Sequence, residues 1–177
     1  MDAMQTMWTP LDIFNFLGHE IPVIATSELW RVKSLDQLFG KSDSALVLYQ
    51  TNHNGEQKIG HWVCLVRDGD DVYFYDPYGT WPDDQYDYIP MSYRKETNQM
   101  KDNLSRLLYY SPYKNLHYNP HQHQMKKKGV NTCGRHCALY LYMALEPEKY
   151  NEMMKEISEM YGGSYDEMVT KITSTNK

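Results

Sequence analysis

The chain has 177 residues, enough for one domain with a buried core, and its 41% apolar and 23% charged content excludes a disordered or fibrous chain. A formal charge of −5 gives no general drive toward nucleic acid or anionic membranes, and no apolar run approaches the roughly 18 residues of a membrane span. The opening MDAMQTMWTP lacks the features of a secretory signal and three cysteines do not make a disulfide scaffold, so a reducing intracellular setting is expected.

Thr9-Pro10 ahead of LDIFNFLG predicts a short helix, capped by Thr9, started by Pro10 and stopped by Gly18. Ser34 is placed to cap a second short turn running to Phe39. SALVLYQ (44–50), HWVCLVR (61–67) and VYFYD (72–76) are rich in β-branched and aromatic residues and predict consecutive strands. Asp68-Gly69-Asp70 between the last two is a hairpin turn signal. Residues 77–96, rich in Pro, Asp and Tyr, are expected to form an ordered loop, and a helix is expected over about 98–110, ending before Ser111-Pro112. Leu116-His117-Tyr118 predicts an edge strand. From Cys133 the run CGRHCALYLYMALE is apolar nearly all round, the pattern of a buried helix. Two amphipathic helices, about 147–160 and 165–173, follow, with Gly162-Gly163 as the turn between them. No repeat or linker divides the chain. The expectation is a single domain, 1–177, of the α+β class with an antiparallel-leaning sheet.

NTCGRHC (131–137) concentrates the reactive chemistry. A zinc site would draw on Cys133, Cys137, His121 and His123, but one cysteine would then lie inside a buried helix, without the spacing of a zinc knuckle. No CxxC redox pair is present, and no metal or other cofactor is expected. Cys133 stands where a loop gives way to a helix, and Gly134 leaves room beside it. A helix N-terminus offers partial positive charge and free N–H groups, which stabilise a thiolate and a developing oxyanion. Cys137, one turn further in, and Cys64, within a strand, are read as core.

A thiolate that cleaves amides needs a base to protonate the leaving amine and a group to orient that base. His61 opens one strand of the predicted hairpin and Asp76 closes the other, so antiparallel pairing sets them side by side. Asp76 is expected on His61 Nδ1, leaving Nε2 for the thiol.

These residues, GHWVCLV…VYFYDPYG followed by a glutamine and TCGRHC, resemble the adenain-like and SUMO-protease-like cysteine peptidases of the papain-like clan. The order His, Asp, Gln, Cys matches, and TCGRH with LDIFNFLG and SLDQLFG is most similar to maturation proteases of virophages and polinton-type elements. The likeness covers about residues 8–145. It implies a central, mostly antiparallel sheet flanked by helices, with the nucleophile at a buried helix N-terminus. His61 would be base, Asp76 its orienter, Cys133 nucleophile and Trp62 the aromatic flanking the cleft. The family places its oxyanion glutamine six or seven residues before the nucleophile, where this chain has Lys127 and Lys126. Gln124 is assigned instead, with Gln122 as the alternative.

The resemblance implies a viral maturation endopeptidase that cleaves capsid or other structural precursors at Gly-Gly or Gly-Ala-like sites, in the virion and the host-cell virus factory. An activating peptide is a further partner it implies. Net acidity argues against an essential role for nucleic acid, and no membrane partner is expected. A ubiquitin-like-protein deconjugase and a catalytically silent capsid scaffold are the alternatives. Met160-Tyr161-Gly162-Gly163-Ser164 also resembles an adenain-type cleavage site, although a plain helix–helix turn is the simpler reading.

Overall fold

The computed structural model describes residues 2–175. Helix α1 (Pro10–Leu17) starts as its sequence dictates: Thr9 accepts from the Asp12 amide, the Asp12 carboxylate accepts from the Thr9 amide at 2.8 Å, and Gly18 closes the helix at φ 78°. A three-residue strand, β1 (Val23–Ala25), and a 3₁₀ turn over Thr26–Arg31 follow, too short to leave a readable pattern. Ser34 caps α2 (Leu35–Phe39). Strands β2 (Ser44–Asn54), β3 (Gln57–Asp68) and β4 (Asp71–Tyr75) then make two antiparallel hairpins. Further on, β5 (Asn115–Tyr118) lies parallel to β4, while β1 lies parallel to β2 at the opposite edge. The sheet order is β1-β2-β3-β4-β5, and most paired residues belong to the antiparallel centre.

Both faces of this sheet are buried, which is why β2 reads SALVLYQ rather than as a strict apolar–polar alternation. On one face Leu46, Leu48, Trp62, Cys64 and Tyr75 meet α1 together with α5 (Cys133–Met143), α6 (Pro147–Tyr161) and α7 (Tyr165–Ser174). On the other, Ala45, Val47, Tyr49, Val63, Leu65 and Phe74 meet α2 and the short helices of the long connection. The fold is α+β, with α5 lying against β3 inside the larger layer.

Three segments depart from expectation. The connection 77–96 contains a 3₁₀ turn over Asp84–Tyr88 and helix α3 (Met91–Glu96). The helix expected over 98–110 is shorter, α4 (Asn103–Tyr109), because Asn98 sits at φ 58° and Gln99 is fully buried. The Gln99 amide donates to Gln50 O at 3.0 Å and its oxygen accepts from the Thr26 hydroxyl, a tertiary role that outweighs local helix propensity. The first hairpin is also longer than its apolar runs, closing at Gly55-Glu56, where Gly55 takes φ 60°. His61 is therefore inside β3 rather than at its start.

Beside His61, Gly60 faces Gln50 where the β2–β3 register shifts. A Cβ at position 60 would stand 1.9 Å from Tyr49 O, so only glycine lets the two backbones approach here. Gly60→Ala is expected to lower the urea midpoint by an amount corresponding to about 1–3 kcal/mol, with an unchanged denaturant slope.

Candidate active site

Cys133 is the first residue of α5, with Thr132 as cap. A threonine cap ordinarily accepts from a first-turn amide, but Thr132 makes no such bond and donates its hydroxyl to Asp166 instead. The first-turn N–H groups of α5 are thus left without a side-chain cap, at the positive end of the helix dipole. Gly134 is needed for a close approach: a Cβ there would lie 2.7 Å from Trp8 Cβ and 3.3 Å from the Trp62 ring. The indole of Trp62 donates to Trp8 O at 3.0 Å, so the two tryptophans form one wall over the helix start.

Asp76 has no exposed surface, yet every lone-pair direction of its carboxylate is occupied. Oδ1 accepts from His61 Nε2 at 2.7 Å and from the Tyr78 amide at 2.8 Å. Oδ2 accepts from Thr80 Oγ1 at 2.6 Å and Gln85 Nε2 at 3.0 Å. Burial alone would raise the acid's pKa, but His61 and these donors overcome it and hold it below the usual carboxylate range. Burial likewise pulls the His61 imidazole down. The Asp76 carboxylate and the Cys133 sulfur prevail, raising it from 6.5 to about 9. The Tyr78 ring stacks flat on the imidazole, centroids 4.2 Å apart, and fixes its plane.

One detail of the expected arrangement is reversed. Asp76 binds Nε2, not Nδ1, and Nδ1 is the nitrogen left for the sulfur. The reason is register. Cys64 pairs with Tyr75, so Asp76 falls opposite Val63, a diagonal away from His61, and only the distal ring nitrogen spans that gap.

Cys133, His61, Trp62 and Gln124 line a single cleft of about 730 Å³ together with Tyr78 and Lys126. The Gln124 side chain is buried; its Nε2 donates to Val130 O at 3.2 Å, which fixes which way the amide points and leaves a second N–H hydrogen uncommitted. Gln122 is not among the residues lining the cleft, and its amide donates to Gln124 O at 2.9 Å. The Lys126 ammonium sits between two rings, 5.3 Å from the Tyr78 centroid and 5.2 Å from that of Tyr88.

The four residues of the zinc alternative are drawn apart. His121 pairs with Glu148 at 2.9 Å, and His123 is held between Tyr75 Oη at 3.0 Å and Asn151 Oδ1 at 3.1 Å. Cys137 Sγ donates to Trp62 O at 3.3 Å from a fully buried position, and Cys64 is equally buried. Among the described residues no group of three or more His, Cys, Asp or Glu side chains is spaced to hold a metal ion. Nor is any described helix long and apolar enough to cross a membrane.

Sequence reasoning did not single out Tyr78, Thr80, Gln85 or Asp166. Tyr78 and Thr80 lie within the Asp-Pro-Tyr-Gly-Thr stretch, whose Asx-type turn was a usable signal. Gln85 and Asp166 arrive from separate elements and left none.

No protein-family model matches the chain. It is 31% identical over 164 residues to the uncharacterized protein V9 of Sputnik virophage, covering 92% of this chain and 91% of that one. Among solved structures it is similar to ChlaDub1 from Chlamydia trachomatis, with a TM-score of 0.48 and 11% identity over 99% of this chain and 92% of the other. The Chlamydia trachomatis effector protein Cdu1 bound to ubiquitin gives 0.48 and 12% over 99% and 94%. The ASFV pS273R protease gives 0.44 and 12% over 98% and 68%.

The burial of His61 and its partnership with Asp76 make a titration test direct. Because the folded pKa is raised, the stability the pair contributes is fully present below pH 6.5 and is lost as the pH rises through about 9. NMR titration should place His61 near 9 in the wild type and well below that in Asp76→Asn, where burial is opposed by the Cys133 sulfur alone. The stability gap between the two proteins should narrow as pH rises from 7 past 9.

Proposed function

For a chain that belongs to the family of protein V9 of Sputnik virophage, we propose the activity of a cysteine endopeptidase acting on viral capsid or other structural precursors. The observation that carries this reading is the placement of His61 with one nitrogen on a buried carboxylate and the other toward Cys133, at the uncapped start of a buried helix on the wall of a cleft.

The chemistry follows from that placement. With the Cys133 proton held or taken by His61, the sulfur attacks the substrate carbonyl carbon and the π-electron pair moves onto oxygen. That oxyanion is received by the first-turn N–H groups of α5 and the free hydrogen of Gln124 Nε2. As the intermediate collapses, the C–N bond breaks and His61 Nδ1 passes its proton to the leaving amine. Water then attacks the thioester with His61 as base, releasing the acid and the thiol. Asp76 stays ionised throughout and holds the ring, which Tyr78 braces from its face.

The aromatic side chains of Trp8, Trp62 and Tyr78 in the cleft wall support a preference for small residues at the cut, in keeping with Gly-Gly or Gly-Ala-like sites. Virions and virus factories, where such precursors assemble, are the proposed location, with an activating peptide as a further partner.

A second reading, deconjugation of a ubiquitin-like protein, draws support from the tip of the first hairpin. Residues 51–57 are exposed, extend beyond the packed sheet, and continue the cleft wall through Gln57, Lys58 and Ile59. That arm offers a folded partner a surface next to the site.

Co-expression with a candidate capsid precursor should yield new capsid N-termini after a small residue with the wild type and none with Cys133→Ala. Incubation of the purified enzyme with a ubiquitin-like C-terminal fluorogenic conjugate separates the two readings. Hydrolysis of the conjugate with an intact capsid precursor would favour deconjugation. A wild type that leaves both substrates whole refutes the peptidase altogether.

A further inference from the structure

Asp166 lies in the first turn of α7, far from the cleft in sequence, and has no exposed surface. The Ser164–Glu167 capping box fixes that turn, and the helix dipole favours a carboxylate there. Its Oδ1 accepts from the Thr132 hydroxyl and from His136 Nε2 at 3.1 Å, while Oδ2 accepts from the Met125 amide at 2.9 Å. One side chain thus binds the residue before Cys133, a residue one turn into α5, and the residue after Gln124.

The arrangement is costly as mere glue. His136 is fully buried, donates its Nε2 proton to Asp166, and leaves Nδ1 without a partner. A buried polar cluster with an unsatisfied nitrogen is weaker support than apolar packing of the same volume. Its specific effect is on the two donor groups of the cleft. By accepting the Thr132 hydroxyl, Asp166 anchors the residue that leads into the first-turn amides of α5; by holding the Met125 amide, it pins the stretch of chain that carries Gln124.

We propose that Asp166 is the positioning residue of the oxyanion hole, aligning the start of α5 with the Gln124 side chain across the cleft. This rests on the peptidase reading of the same site. Asp166 touches no substrate atom. It acts through Thr132 and Met125.

The test uses the full chain, a Gly-Gly fluorogenic peptide, the aldehyde of the same peptide, and iodoacetamide. The aldehyde forms a hemithioacetal whose oxygen needs the oxyanion hole, whereas alkylation by iodoacetamide needs only the thiolate. Asp166→Asn and Thr132→Val should each lower kcat and weaken aldehyde binding by about a hundredfold, the scale of an ångström-level misplacement, with KM and the Cys133 alkylation rate within about twofold of wild type. Thr132→Ser, which keeps the hydroxyl, should restore both, and the Asp166→Asn/Thr132→Val double variant should be no worse than either single. Thr132→Val keeps the test decisive if Asp166→Asn fails to fold. Wild-type values of kcat and aldehyde affinity in a folded Thr132→Val overturn the proposal, as does a parallel fall in alkylation, which would mean general damage to the site. A wild type that neither hydrolyses the peptide nor binds the aldehyde overturns the peptidase reading as well, so the two failures are distinct.

Discussion

The carboxylate of Asp76 is buried to the same degree as the aliphatic core, and everything near the cleft is arranged to let it remain charged there. An isolated carboxylate so placed would take up a proton. Four donors prevent this: the imidazole of His61, the Tyr78 amide, the Thr80 hydroxyl and the Gln85 amide. Its own backbone carbonyl is also occupied, accepting from Asn119 Nδ2 at 2.9 Å and from the Gly79 amide at 2.8 Å. A dense set of hydrogen bonds of this kind has few alternative geometries. It therefore fixes His61, which in turn determines where a sulfur must stand to meet Nδ1.

The rest of the fold delivers the sulfur to that point. Sheet and helices bury apolar surface on both faces, and the helix that carries Cys133 is the one most enclosed, with every residue from Cys133 to Tyr140 buried. A rod packed on all sides cannot slide, so its first residue is located by the core behind it. Gly134 lets the Trp8–Trp62 wall close over that first turn, and Arg135 reinforces it from beyond, its guanidinium 4.6 Å over the Trp8 ring and bonded to Thr173 Oγ1 at 2.7 Å. The proposed nucleophile is thus set by hydrophobic packing and its base by polar bonding, and the two systems meet at the cleft.

How far the sequence disclosed this depended on whether a signal was local. The border between loop and helix at Cys133 was legible because Gly134 and an unbroken apolar run follow it directly. The pairing of His61 with Asp76 was legible because a hairpin with a clear turn dictates which residues lie across from one another. The orientation of the imidazole was not, since it turns on a diagonal offset in register that strand patterns do not resolve. The parallel edge strand β1 is three residues long and carries no period. Gln99 and Asp166 were missed for a common reason. Each is a polar residue in an ordinary local context whose partners lie tens of residues away, and long-range polar satisfaction leaves no mark on neighbouring positions.

The unusual spacing of nine residues between Gln124 and Cys133 has a physical resolution in the same architecture. Pro77 O, next to the buried acid, accepts from the amides of His123 at 2.8 Å and Gln124 at 2.9 Å, so the glutamine is hung from the segment that holds Asp76. At the far end Val130 O holds the Gln124 side chain, and Asn131 N donates to Met4 O at 2.8 Å. Between these anchors Lys126, Lys127, Lys128 and Gly129 are exposed, with the three lysines along the rim of the cleft, and the extra length is taken up there while both ends stay held. Loop length is cheap when both ends are fixed, because closure entropy grows only logarithmically with added residues. In the proposed site, the separation of Gln124 from Cys133 is set across Pro77 and Asp166, not along the chain. For the proposed site, a residue count back from Cys133 is then a weaker guide to the glutamine than the hydrogen bond that ties Gln124 to the loop holding Asp76.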